Sequence, residues 1–170
     1  REGKDEKAAI EDFEDAIKHD LKRFDEEQQE RVLDAFKKRF DDGFERVRRH
    51  KHALKNLFKL RGYIHEAKVQ LHNAKGRKPA ENPGQYAEEM GEGMGRLMAI
   101  IEYGCFRNEW DEESAENIKG HLLPVIRMLD RAQHDRHHKK LVKQVKRIVS
   151  KRSTTPAEQE LGAAIIDAFK

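Results

Sequence analysis

At 170 residues the chain has the length of one domain, with 39% charged residues, 36% apolar residues and a net charge of only +3. Aromatic residues at 7% suffice to anchor a core and exclude wholesale disorder. Apolar stretches such as Leu122 to Ile126, with Pro124 inside it, fall far short of the roughly 20 residues that cross a bilayer.

In chain order, Ile10, Phe13, Ile17, Leu21 and Phe24 recur at helical spacing and predict one apolar stripe. Asp25 and Gln28 have capping-box spacing and predict a second helix that carries Val32, Leu33, Phe36 and Phe40 and stops near Gly43. From Phe44 to Lys75 runs the longest pattern. Leu57, Leu60, Ile64, Ala67, Leu71 and Ala74 alternate by three and four, with Gly62 as a point where it kinks or divides. Residues 76–85, with two prolines and two glycines, read as a hinge loop. A helix from about Tyr86 to Tyr103, ending at Gly104, carries small residues every fourth position: Ala87, Gly91, Gly95 and Ala99. A helical glycine costs about 1 kcal/mol relative to alanine, so this face implies close approach by a neighbouring helix or a partner. Met90, Met94, Leu97, Met98 and Ile101 form the adjoining apolar stripe.

Asp111 is a cap for the next helix, which buries Ile118, Leu122, Val125, Ile126 and Leu129. Pro124 either kinks it or opens a fresh helix after Gly120. A further helix from about Asp135 to Lys151 buries Leu141, Val142, Val145, Ile148 and Val149. Thr155-Pro156-Ala157-Glu158 has the order of a helix start, with Leu161, Ala164, Ile165, Ala168 and Phe169 following. No strand pattern occurs. The expected fold is all-α, a single bundle of seven or eight helices over residues 1–170, one of them long. The absence of an initiating Met and the abrupt ends are read as a fragment of a larger protein. Arg1 to Ala9 is too charged for a signal peptide, and the single Cys105 precludes an internal disulfide and fits a reducing compartment. The cytosol or the nucleus is the expected location.

Charge is segregated along the chain: residues 1–30 carry a net −6, residues 81–117 a net −8, and the remainder +17. Such segregation concerns partners rather than fold. Arg46 to Arg61 holds seven Lys or Arg, two His and no acid. On a helix Val47, Leu54, Leu57 and Phe58 face inward, leaving Arg48, Arg49, Lys51, Lys55 and Lys59 outward. Arg131 to Arg152 holds nine Lys or Arg and three His against the one acid Asp135, with Lys139, Lys140, Lys143, Lys146 and Arg147 projecting. Two such helices would engage nucleic-acid phosphates and gain affinity by counterion release. The competing reading is that both face the acidic segments of the same molecule. Neither stretch offers the exposed aromatics of base stacking, which weighs against single-strand recognition.

The remaining chemistry is sparse. Asp130, His134 and His138 share a helix face with His137 beside them, but no HExxH or Cys pair accompanies them, so they read as surface histidines and no metal is expected. Gly91 to Gly95 lacks the strand and lysine of a phosphate loop. Asp25 to Gly43 is followed by Phe44-Glu45-Arg46, without the oxygen ligands calcium needs. Ser114, Ser150 and Ser153 sit in no elbow motif, Cys105 reads as a small buried hydrophobe, and the acid pairs lie on solvated helix faces. Ser153, Thr154 and Thr155 precede Pro156 as candidate phosphorylation sites, although capping already accounts for them. No enzyme, cofactor or small-molecule substrate is expected.

Arg48-Arg49-His50-Lys51-His52-Ala53-Leu54-Lys55-Asn56-Leu57 is similar to the basic segment of the helical C-terminal domain of chromodomain-helicase-DNA-binding chromatin remodellers. Residues 118–152 resemble its second part in length, apolar rhythm and basic ending, but lack that family's tryptophan; residues 1–45 have no counterpart. The resemblance covers about half of the chain and implies a small helical bundle that contacts DNA in a nucleosome context. The expected partner is therefore duplex DNA or a nucleosome, with a helical protein-protein scaffold that docks a partner helix or peptide as the alternative.

Overall fold

The computed structural model describes residues 26–50, 52–76, 82–129 and 136–169. Among them are six α-helices and no strand, where seven or eight helices were expected. The helices are α1 (Glu26–Arg49), α2 (Leu57–Gly76), α3 (Pro83–Tyr103), α4 (Glu112–Arg127), α5 (Arg136–Arg152) and α6 (Pro156–Phe169), with a 3-10 turn at Ala53–Lys55 between α1 and α2. The Ile10–Phe24 stripe and the Asp25 cap lie outside the described residues.

Three boundaries differ from the sequence expectation, two of them around α1 and α2 and one at the start of α3. Helix α1 does not stop at Gly43 but runs six residues further, to Arg49. Gly43 serves contact instead: a methyl group there would overlap the Cβ of Ala99 on α3. The long 44–75 pattern is divided, but at residues 50–56 rather than at Gly62. His52 takes a left-handed backbone (φ 74°), which ends the preceding helix, and Asn56 starts the next one. The Asn56 Oδ1 accepts from the N–H groups of Phe58 (3.0 Å) and Lys59 (3.3 Å), satisfying first-turn donors of α2. Gly62 lies inside α2, where an added methyl would meet nothing within 4 Å.

Other ends follow local chemistry. Asn82 caps α3 by accepting from the Gln85 N–H, and Pro83 occupies the first turn, so the helix begins three residues before Tyr86. Gly104 closes it, as expected. Asp111 accepts from the Ser114 N–H at 2.7 Å to open α4, which passes Gly120 and Pro124 and ends at Arg127. Helix α6 begins at Pro156 with the Thr155 hydroxyl accepting from the Glu158 N–H.

Helix α3 is the hub. It packs against α1, α2, α5 and the 3-10 turn, while α4 packs on α2 and α6, and α5 on α6. Gly91 and Gly95 lie against α1, where methyl groups would overlap the carbonyl oxygens of Val32 and Phe36; Gly93 faces Leu71 of α2. The apolar stripes meet in one core: Val32, Phe36 and Phe40 of α1, Leu60, Ile64, Ala67 and Leu71 of α2, Leu97, Ile100 and Ile101 of α3, Ile118, Leu122 and Val125 of α4, and Val145, Ile148, Leu161, Ile165 and Phe169 beyond. Phe40 and Phe44 both lie against the Tyr103 ring, with centroids 5.6 and 5.8 Å away.

Two buried carboxylates tie the second half together, although acids were expected on solvated faces. Glu158, fully buried, accepts from the backbone N–H groups of Arg107 (2.9 Å), Asn108 (3.2 Å), Trp110 (2.8 Å) and Thr154 (3.1 Å) and from the Thr154 hydroxyl (2.9 Å). The loop 104–111 curls around it with Arg107 and Glu109 in left-handed backbone (φ 63° and 54°), aiming successive N–H groups at one anion. Glu102 of α3 pairs with Arg152 of α5 at 2.5 Å, both side chains nearly inaccessible to solvent.

Candidate nucleic-acid interface

The first basic stretch does not form one helix. It covers the last turn of α1, the 3-10 turn and the first turn of α2. Ala53 and Leu54 are buried and anchor this corner, which contacts α1, α2 and α3. Burial of that short apolar segment leaves its polar neighbours at the surface.

The half-buried Arg46 is engaged within the molecule. Its guanidinium lies 3.3 Å from Asp42 and 4.0 Å from Glu66, and 4.6 Å from the centre of the Tyr63 ring. The same ring is approached by Arg96, which bonds Glu66 (2.6 Å) and Gln70 (2.8 Å). Arg39 joins this network from α1 by pairing with Glu92 of α3 at 3.0 Å, and Gln70 donates to the same Glu92. Burial holds the Tyr63 hydroxyl up to about 12. Among the described residues, internal charge matching therefore operates chiefly through arginines outside those expected to project.

Arg48 and Arg49 do project, with side chains 64% and 71% accessible, and both reach one carboxylate, Glu45, at 3.0 and 3.3 Å. The Arg48 hydrogen bond, aided by the charges of both arginines, holds Glu45 below the usual carboxylate range. Lys59 and Arg61 are exposed and Lys55 is half-buried; none has an ion-pair partner among the described residues. Of these five cations, two share one carboxylate and three have no ion-pair partner among the described residues. The exposed His50 and His52 lie between them, and Lys51 is outside the described residues.

Phe58 departs from the sequence expectation. It is 84% exposed, not turned inward. The reason is helical phase: with α2 starting at Leu57, Phe58 lies nine residues from buried Ala67, about half a turn out of register at 3.6 residues per turn. The spacing carried this signal. Treating 44–75 as one pattern hid it, because Val47 and Leu54 belong to elements with their own phase.

The second basic stretch is α5. Lys143 and Lys146 are exposed without an ion-pair partner among the described residues. Arg147 is half-buried and donates to Gln144 at 3.2 Å. Arg152 is committed to Glu102. The side chains of Lys139 and Lys140 lie outside the described residues. Helix α5 packs on α6 and α3, whereas the first stretch sits on α1, α2 and α3. The two stretches form separate patches with α3 as their common neighbour rather than a packed pair of helices.

Ala87, Gly91, Gly95 and Ala99 are buried. Helix α1 lies along Gly91 and Gly95 and, through Gly43, against Ala99, so a helix of the same chain fills the role of the close neighbour. Cys105 is fully buried, and desolvation, reinforced by Glu158, pushes its thiol far above the ordinary range, leaving no nucleophilic thiolate. Among the described residues no three His, Cys, Asp or Glu side chains cluster to hold a metal, and no helix is long and apolar enough to cross a membrane. Asp130 and His134 and the side chains of His137 and His138 lie outside the described residues. No protein-family model, curated protein or solved structure matches this chain. The resemblance to the remodeller domain therefore rests on its own residues.

Proposed function

We propose that this chain is a non-catalytic helical module that binds DNA or chromatin through backbone phosphates in the nucleus. The observation that supports this most directly is the corner between α1 and α2: Arg48 and Arg49 pair only with Glu45, and Lys55, Lys59 and Arg61 have no ion-pair partner, among the described residues. Intramolecular pairing consumes Arg39, Arg46, Arg96 and Arg152, while this corner retains an outward positive field. Lys143 and Lys146 on α5, exposed and without an ion-pair partner among the described residues, add a second patch to the interface on this reading. A polyanion displaces condensed counterions as it engages such side chains, and the released ions drive association.

For the alternative, a scaffold that receives a partner helix in an apolar groove or on the Gly91/Gly95 face, α1 covers the second of these seats. Fluorescence anisotropy with duplex DNA across a salt series tests the nucleic-acid reading. Neutralising about five phosphates gives a log–log slope near −4.5. Changing Arg48, Arg49, Lys139 and Lys143 to Glu lowers affinity, and Lys59→Glu with Arg61→Glu lowers it at the corner alone. An absence of binding even at low salt refutes the reading.

A further inference from the structure

The other described phenylalanines, Phe36, Phe40, Phe44, Phe106 and Phe169, are buried or half-buried. Phe58 leaves 84% of its surface in water at the opening turn of α2. Its backbone is held there by the Asn56 Oδ1, so the ring stands on a fixed element rather than a loose loop. Lys55 precedes it by three residues, Lys59 follows it, and Arg61 lies one turn along on a neighbouring ridge, where side chains three apart meet. None of these cations has an ion-pair partner among the described residues. Gly62, one turn on and on the same face, carries no side chain, and nothing within 4 Å occupies the space where one would be. A flat, accessible ring with open ground beside it and cations around it combines the two elements of single-strand recognition: a stacking surface for a base and charge for the backbone.

We infer that Phe58 stacks on an unpaired nucleobase, so that the α1–α2 corner takes single-stranded nucleic acid in preference to a duplex. This rests on the phosphate-binding reading above and narrows it. A duplex keeps its bases stacked inside and presents no base face to the ring. A second copy of the chain is disfavoured as occupant, because it would bring the same surplus of positive charge to the same corner.

The test compares labelled oligothymidylate with a duplex of equal length by anisotropy, using the whole chain, the Phe58→Ala variant and the Phe58→Trp variant. Phe58→Ala removes only an exposed side chain and keeps the native circular dichroism. It is expected to weaken oligothymidylate binding about tenfold while leaving duplex binding within about twofold. Phe58→Trp retains single-strand affinity, and oligothymidylate quenches its emission above the background of buried Trp110. If Phe58→Ala leaves single-strand affinity unchanged while both oligonucleotides bind, the stacking inference is overturned and the phosphate reading stands. If neither oligonucleotide binds at low salt, both fall. Binding to phosphatidylserine vesicles that depends on Phe58, without oligonucleotide binding, would reassign the corner to a membrane surface and also overturn the inference.

Discussion

Replacing Glu158 with alanine probes the strongest polar node of the fold. The carboxylate is fully buried and accepts five hydrogen bonds, three of them from the N–H groups of Arg107, Asn108 and Trp110 in one loop. A buried donor left without a partner costs about 1–3 kcal/mol. Only the Trp110 bond is wholly buried, so the low end applies to the other two loop donors. The left-handed Arg107 and Glu109 each hold about 1 kcal/mol or more of conformational strain that the anion now offsets. Part of this relaxes once the loop is released, and the net loss comes to about 3–4 kcal/mol. A domain of this kind has about 5–15 kcal/mol in total. Urea unfolding followed by circular dichroism reports the global loss; with a slope of about 2 kcal/mol/M, the midpoint falls by roughly 1.5–2 M. Trp110, the only tryptophan, donates its indole N–H to the Gly104 carbonyl in the same loop at 3.0 Å, and its emission shifts to the red as the loop loosens. Glu158→Gln keeps the shape and one acceptor oxygen, and loses about half as much. A Glu158→Ala midpoint within about 0.5 M of the parent, with unchanged Trp110 emission, would refute the assignment of this carboxylate as the organiser of the loop.

Two further outcomes are expected from the same unfolding measurements. Gly91→Ala and Gly95→Ala force methyl groups into carbonyl oxygens of α1 and cost about 1–3 kcal/mol each, whereas Gly62→Ala, in open space on α2, gains about 0.5–1 kcal/mol from helix propensity; melting temperatures that move in the same direction for all three would contradict the α1–α3 contact. Tyr63 is held up to about 12 mainly by burial, opposed by Arg96 and Arg46 and reinforced by Asp42 and Glu66. Because that lies above the unfolded value near 10, its contribution, on the order of 2–3 kcal/mol, is complete below about pH 10 and is lost as the pH climbs towards 12. Urea midpoints measured through that interval should fall less steeply in Tyr63→Phe than in the parent.

Much of the secondary structure was legible because its causes are local. The spacing of Leu60, Ile64, Ala67 and Leu71 identifies a buried helix face, and that face is buried. Asp111, Gly104 and Thr155-Pro156 marked helix ends because capping satisfies backbone groups only a few residues away. The small-residue spacing of Ala87, Gly91, Gly95 and Ala99 also implied a close neighbour, without saying which one.

Gly43 shows where that legibility stopped. The same letter closes a helix or admits another helix, and which it does depends on Ala99, 56 positions away. Likewise Arg46 and Arg48 look alike in sequence, yet one meets Glu66 of α2 and the ring of Tyr63, while the other meets only Glu45 on its own helix and the solvent. Glu158 read only as part of a helix start, and nothing local marked Glu102; their burial depends on the 104–111 loop and on Arg152. The chain's own periodicity determined that it makes amphipathic helices rich in segregated charge, since backbone geometry repeats every few residues. Tertiary structure alone decided which of the described cations pair with acids on other helices. Neutralisation and burial depend on distances through space, and those arise only when helices far apart in sequence are brought together.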